Sequence, residues 1–258
     1  MSAIGDTTSG LDIGRVIRET FSVLGRNFVT FLVLAVLLTG LPTVILGFVQ
    51  QNTVNTIAAG SMQGLWMSAL GGFVAGMTGL ILQGTIIYGT VSDLNGKPAS
   101  VVDSLRVGLY AFLPMLLIGI MMGVAIGLGM ILLIVPGLML AVAWCVAIPV
   151  YVVERPNILG VFGRAAQLTR GSRWAIFGLA VLYVVAVIII EMALLAVFGG
   201  ALRFALTGGS VLAIRVVVMP LIAVANTLIG ATAAAVLYVE LRRIRDGVGP
   251  AGLAAIFD

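Results

Sequence analysis

The chain's apolar stretches are too long for a globular core. No charged residue occurs from Asn27 to Ser92, nor from Val107 to Val153. A bilayer core takes about 20 consecutive apolar residues per helix, so each gap suits two spans. The first gap divides at the polar run QQNTVNT, residues 50–56. Helices are therefore expected near Phe28–Val49 and Leu65–Val91. The second gap has only a VPG break at residues 135–137. Proline disfavours helix in the residue before it and suits a helix start. A tight turn is expected there, between helices near Tyr110–Ile134 and Gly137–Val153. A fifth span fits Trp174–Phe198, and a sixth fits Val211–Val239 after the Gly208–Gly209 break.

Three amphipathic lead-ins punctuate this pattern, at residues 11–27, 100–109 and 157–173. In the first, Ile13, Val16, Ile17, Phe21 and Leu24 recur at helical spacing while arginines fall on other faces. That is the signature of a helix lying in the membrane interface. The first and third share a short frame, in which Arg18, Gly25, Phe28 and Phe31 match Arg164, Gly171, Trp174 and Phe177 at a constant offset. The expected architecture is all-α and polytopic, with six transmembrane helices in three hairpins, each preceded by a cytoplasmic amphipathic interfacial helix. It forms one integral membrane domain over residues 1–258, with a flexible start at 1–10, the six-helix body at 11–247 and a tail at 248–258.

Composition agrees. Of 258 residues, 61% are hydrophobic and 9% charged, whereas a soluble domain carries about 25% charged residues. Six spans put both ends on one side, and the cations choose it. Twelve of the 14 fall before span 1, between spans 2 and 3, between spans 4 and 5, or after span 6; only Arg203 and Arg215 fall elsewhere. Positively charged loops stay inside, so both termini are expected in the cytoplasm of a bacterial inner membrane. The polar N-terminus and late first apolar run do not fit a signal peptide. The single cysteine, Cys145, has no internal partner, and there is no histidine. The commonest metal ligand and general base is thus missing. No Walker loop, dinucleotide fingerprint, HExxH or GxSxG occurs. Neither enzyme activity, cofactor, metal nor nucleic acid is expected.

Two groups of residues remain as candidate chemistry. Arg164, Arg170 and Arg173 crowd just before Trp174 in RAAQLTRGSRW. Topology and anionic headgroups account for such a cluster, at about 1 kcal/mol per surface cation. The sharper reading is a phosphate site, with Gly171 capping one helix and the next helix presenting its N-terminal N–H groups. Inside the spans lie Glu191 and Arg215, with Asn226 and Gln83. Ionisable groups at membrane depth point to function by default, and an ion pair is the plainer account of Glu191 and Arg215. Gln83, Asn226, Thr78, Thr85, Thr227 and Thr232 are expected to hydrogen-bond between helices. Gly72 and Gly76, and Gly119, Gly123 and Gly127, offer close-packing faces. Pro42, Pro149 and Pro220 are expected to kink spans 1, 4 and 6.

Four stretches carry a resemblance: LLIVPGLMLAVAWCVAIPVYVVE (132–154), GRAAQLTRGSRWAIFGLAVL (163–182), LYVELRRIRDG (237–247) and the amphipathic start with its GRNF junction. Together they resemble the membrane-domain family named after glycerophosphoryl diester phosphodiesterase, and the similar YciC-like bacterial inner-membrane proteins. The P-V-x-V-x-E pattern of that family is met in PVYVVE, with Val152 and Val153 both before the acid. The resemblance implies six membrane helices and proximity to glycerophospholipid metabolism. It does not extend to the family's hydrolase barrel, because only 19 residues follow Val239. The expected partners are membrane phospholipids, with a homo-oligomer or a membrane-protein partner. A small oligomeric transporter or channel using Glu191 is the alternative.

Overall fold

A computed structural model describes residues 10–49, 62–97, 100–205 and 219–247. The fold is all-α and polytopic, and the described residues contain no strand. Six helical segments are long and apolar enough to cross a membrane: Phe28–Leu46, Met62–Leu94, Val101–Leu132, Ile134–Glu154, Arg173–Ala193 and Pro220–Asp246. The elements are α1 (Ile13–Arg26), α2 (Phe28–Ala35), a π-helical segment (Val36–Gly40), α3 (Leu41–Val49), α4 (Met62–Leu94), α5 (Val101–Leu132), α6 (Ile134–Ala143), α7 (Ala147–Glu154), α8 (Ile158–Thr169), α9 (Arg173–Ala205) and α10 (Met219–Asp246).

The first lead-in forms α1. Asp12 caps it by accepting from the Arg15 N–H at 3.0 Å. Its buried face is Val16, Thr20 and Val23, at spacings of four and three, the stripe a helix shows to one neighbour. That face packs on the bundle, chiefly against α10. The third lead-in forms α8, capped by Asn157, which accepts from the Gly160 N–H at 2.8 Å. The second lead-in departs from expectation. Residues 101–109 are not a separate interfacial helix but the first turns of α5, which runs unbroken to Leu132 past Pro114. Gly108 explains the difference. A Cβ there would sit 2.6 Å from the Ile81 carbonyl oxygen and would strike the Thr85 hydroxyl. Bare backbone at Gly108 and Gly84 lets α4 and α5 cross in near-contact, which draws this stretch into the bundle.

The prolines act through their missing N–H groups. In the first span the π-helical segment directly precedes Leu41–Pro42. In the fourth, the helix is interrupted at residues 144–146, one turn before Pro149. The Ala143 carbonyl at that interruption accepts a bond from the buried Thr169 hydroxyl at 3.1 Å. The turn between the third and fourth spans lies at Leu133, two residues earlier than the VPG spacing predicts. Pro136 is the third residue of α6, where a helix has no use for the N–H that proline lacks. Gly137 then packs against the returning backbone, with Met130 N 2.7 Å from where its Cβ would be.

Other small residues do not behave as expected. A Cβ added at Gly72, Gly76, Gly119, Gly123 or Gly127 would meet nothing within 4 Å. These glycines do not mediate close packing among the described residues. Gly84, Gly108, Gly129 and Gly137 do. The threonines also turn inward on their own helices. Thr78, Thr85 and Thr227 donate to Val74, Ile81 and Ala223 carbonyls respectively, and Thr232 is buried without a partner. Gly108→Ala is expected to cost about 1–3 kcal/mol through overpacking. Gly123→Ala should stay within about 0.5 kcal/mol. Reversible unfolding in mixed detergent micelles measures both; equal effects would mean that the α4–α5 crossing has slack.

Candidate functional site

One end of the bundle gathers most of the described charged side chains. Arg26 pairs with Asp93 at 2.6 Å, and Asn27 donates to the same carboxylate at 2.9 Å, joining the α1–α2 junction to the end of α4. Arg15 meets Glu240 at 3.2 Å, joining α1 to α10. At the centre is Arg164 of α8. Its Nε donates to Glu154 Oε2 at 2.9 Å and its Nη2 to Glu154 Oε1 at 3.2 Å. Its two Nη groups also hold both oxygens of Asp246. Tyr238 donates its hydroxyl to Glu154 Oε1 at 2.9 Å and accepts from Arg242 Nη1 at 3.2 Å. Arg242 Nε lies 3.5 Å from Asp246. A single knot thus ties α7, α8 and α10. The carboxylates of Asp246 and then Glu154 hold the Arg164 guanidinium above its ordinary pKa, against the opposing effect of burial.

This geometry divides the predicted arginine cluster. Arg164 has its donors committed to two carboxylates, so it is a structural latch. Arg170 and Arg173 are different. Neither takes part in an ion pair among the described residues, and Arg170 is exposed. The chain between them turns at Gly171, which adopts a left-handed φ of 90°. Glycine tolerates that conformation without penalty. Arg245 also comes here from α10, its Nη2 3.0 Å from the position of a Gly171 Cβ, likewise with no carboxylate partner among the described residues. Trp174, at the start of α9, is 86% exposed. Its ring makes an edge contact with Phe177 at 6.2 Å between centroids. The turn therefore presents three unpaired cations, a helix start and an exposed aromatic ring at one level.

A second feature lies at membrane depth. The fifth and sixth spans do not pack along their length as a closed hairpin. α9 and α10 flank a cleft of about 720 Å³, lined toward the charged end by Val16, Ile17, Thr20 and Phe21 of α1. Small residues on the two walls open it: Ala180 and Ala186 on α9, and Ala225, Gly230, Ala233 and Ala234 on α10. Polar side chains bridge the walls. Asn226 Nδ2 donates to Glu191 Oε1 at 3.4 Å, and the Tyr183 hydroxyl donates to the Asn226 carbonyl at 3.3 Å. Asn226 is thus the interhelical hydrogen-bonder the sequence predicts, with Glu191 as its partner. Arg215, the other expected partner of Glu191, lies outside the described residues. Gln83 is not interhelical glue. It borders a separate hollow of about 640 Å³ floored by Gly72, Gly76 and Gly79, and hydrogen-bonds to no described residue. Asn226 borders this hollow too.

Sequence reasoning missed Glu154 and Asp246 as the partners of Arg164, and Tyr238 and Arg242 as the other members of the knot. A signal was present, since Glu154 ends PVYVVE and the other three lie in LYVELRRIRDG. These are two of the short segments on which the resemblance rests, and their polar residues meet in one knot. Among the described residues, no group of three or more histidine, cysteine or acidic side chains is placed to hold a metal. Compared with family models, with curated proteins and with solved structures, the chain finds no match in any of the three.

Arg164→Gln should lower stability by about 1–3 kcal/mol, because it strands two partly buried carboxylates. Adding Glu154→Gln should cost less than the sum of the single changes. Thermal melts of the four-member cycle in one detergent decide this; strict additivity would mean that the two side chains do not share an interaction. A second cycle, Glu191→Gln with Asn226→Ala, should show coupling of about 0.6 kcal/mol, a usual value for a hydrogen bond between membrane helices. Zero coupling would place the two groups apart.

Proposed function

We propose that the chain is a non-enzymatic, multi-pass protein of a bacterial cytoplasmic membrane that binds the phosphate of a phospholipid headgroup at the Gly171 turn. Both termini lie in the cytoplasm in this reading. Its support is that the charged end collects the N-terminal helix, the end of α4, the α7–α8 junction and the end of α10, and cation-rich segments stay inside. The observation that carries the phosphate reading is convergence: Arg18, Arg106 and Arg155 also lack an acid partner among the described residues, but they are scattered over separate elements. Arg15, Arg26, Arg164, Arg242 and Arg243 are paired with acids. Arg170, Arg173 and Arg245 converge on one turn without any carboxylate partner among the described residues. Unpaired guanidinium groups beside helix-start N–H groups favour phosphate. Trp174 suits the depth at which lipid headgroups meet the hydrocarbon.

The meeting of the short segments around Arg164 supports membership of the membrane-domain family that the sequence resembles. Phospholipid binding is compatible with that family's link to glycerophospholipid chemistry, which here is analogy. A second reading, a small oligomeric transporter working through Glu191, draws on Asn226, which borders both the cleft and the glycine-floored hollow. Proton or ion flux in proteoliposomes, lost in Glu191→Gln, would establish it.

The lipid reading is tested by replacing Arg170, Arg173 and Arg245 together with glutamine. At about 1 kcal/mol per cation, affinity for anionic lipid vesicles should fall about a hundredfold, and wild-type binding should weaken with salt. Unchanged affinity in a folded variant would overturn the reading.

A further inference from the structure

The cleft between α9 and α10 has a shape and a position that the headgroup site alone does not use. From Ile176 to Glu191 it follows 15 residues of α9, about 22 Å at the helical rise. That is most of a hydrocarbon core of about 30 Å. Its walls are largely aliphatic, the Tyr183 side chain reaches across midway, and its width comes from alanines and a glycine. An apolar gap at this depth borders lipid, where no water is available to fill it. An empty gap would forfeit dispersion contacts on both walls.

We infer that this cleft seats one extended acyl chain of a phospholipid whose phosphate is held at the Gly171 turn. The inference rests on the phosphate reading for the head and on the cleft itself for the tail. The two ends of the cleft define the occupant. At the charged end, Arg173 precedes the lining residue Ile176 by one helical turn, so head and tail sites lie on consecutive turns of one helix. Toward the far end, Glu191 and Asn226 bond to each other across the walls, and Leu221 and Ile222 line the turn beyond them. A hydrocarbon chain can lie along the alanines as far as that polar pair. A chain that stops short of Glu191 leaves part of the groove unfilled. Charge argues against a second copy as occupant. The mouth carries unpaired arginines, which complement a phosphate and repel the same mouth of another molecule.

The test uses the full chain in mild detergent. Phosphatidylglycerol carrying a diazirine midway along one acyl chain is added, the sample is irradiated, and crosslinked residues are mapped by mass spectrometry. Crosslinks are expected on the cleft walls of α9 and α10, and unlabelled phosphatidylglycerol should compete them away. The filled variant Ala186→Phe with Ala233→Phe should lose about tenfold in crosslinking, equivalent to about 1.4 kcal/mol, while keeping its thermal transition. Crosslinks outside the cleft in wild type, or undiminished cleft crosslinks in the folded filled variant, would overturn the inference. Should the filled variant not fold, the wild-type crosslink map decides. Crosslinks joining α9 of one copy to α10 of another would also overturn it, since the occupant would then be a second chain. Diacylglycerol bearing the same diazirine separates the two readings. Equal labelling by both probes would leave the tail site standing and remove the phosphate site. Loss of anionic-lipid binding in the glutamine variant, without any cleft labelling in wild type, would do the reverse.

Discussion

Helices inside a bilayer gain nothing by hiding apolar surface from one another, because the lipid is as apolar as they are. Something else must hold them in register. Here two devices do so. One is backbone approach, where Gly84 meets the backbone of Gly108, and Gly129 that of Gly137. There the missing side chains let α4 cross α5 and α5 fold back on α6. The other is polar locking at the charged end, where Arg164 gathers Glu154 and Asp246 from separate helices. Both devices are directional and specific to position. Apolar burial, the usual organiser of a soluble fold, selects the membrane as solvent but does not choose which helix lies beside which.

The same constraint explains what is left open. Where neither device acts, nothing closes the gap. α9 and α10 carry small residues on facing walls, yet their backbones do not meet as those of α4 and α5 do. The walls are joined instead by the side chains of Tyr183, Glu191 and Asn226, which are long enough to hold the helices apart. Alanines behind such spacers produce a groove, whereas glycines in backbone contact produce a seam. The consequence for function is direct, since a groove open at membrane depth is available to the solvent of that depth, which is lipid.

Much of the fold was legible in the sequence because membrane insertion depends on runs, and runs survive small errors. The charge-free gaps, the QQNTVNT break and the VPG spacing gave six spans, with the third-to-fourth turn displaced by two residues. The second lead-in misled because amphipathicity reports one apolar face without saying what covers it. Residues 101–109 turn that face to α4 because Gly108 allows it. The glycine rows misled for the converse reason. Spacing of four places glycines on one face, but only a partner's backbone makes that face an interface, and Gly119, Gly123 and Gly127 meet none among the described residues. The third hairpin was read correctly as a pair of spans, but its splay depends on the bridging side chains and carries no run or period.

The arginines show most clearly what linear proximity conceals. Arg164, Arg170 and Arg173 are neighbours in sequence, and read as one cluster they share one role. A helix turns 100° per residue, and the Gly171 turn then changes the chain's direction, so they face different surroundings. Which of them is free depends on acids, and acids are scarce, with ten in the whole chain. Asp93, Glu154, Glu240 and Asp246 each hold a particular arginine at the charged end. Arg170 and Arg173 pair with no described acid, which leaves them to solvent or an anionic headgroup. The pairing of Arg164 is thus what makes Arg170 and Arg173 informative. It engages Glu154 and Asp246, and leaves the Gly171 turn positively charged beside the mouth of the cleft.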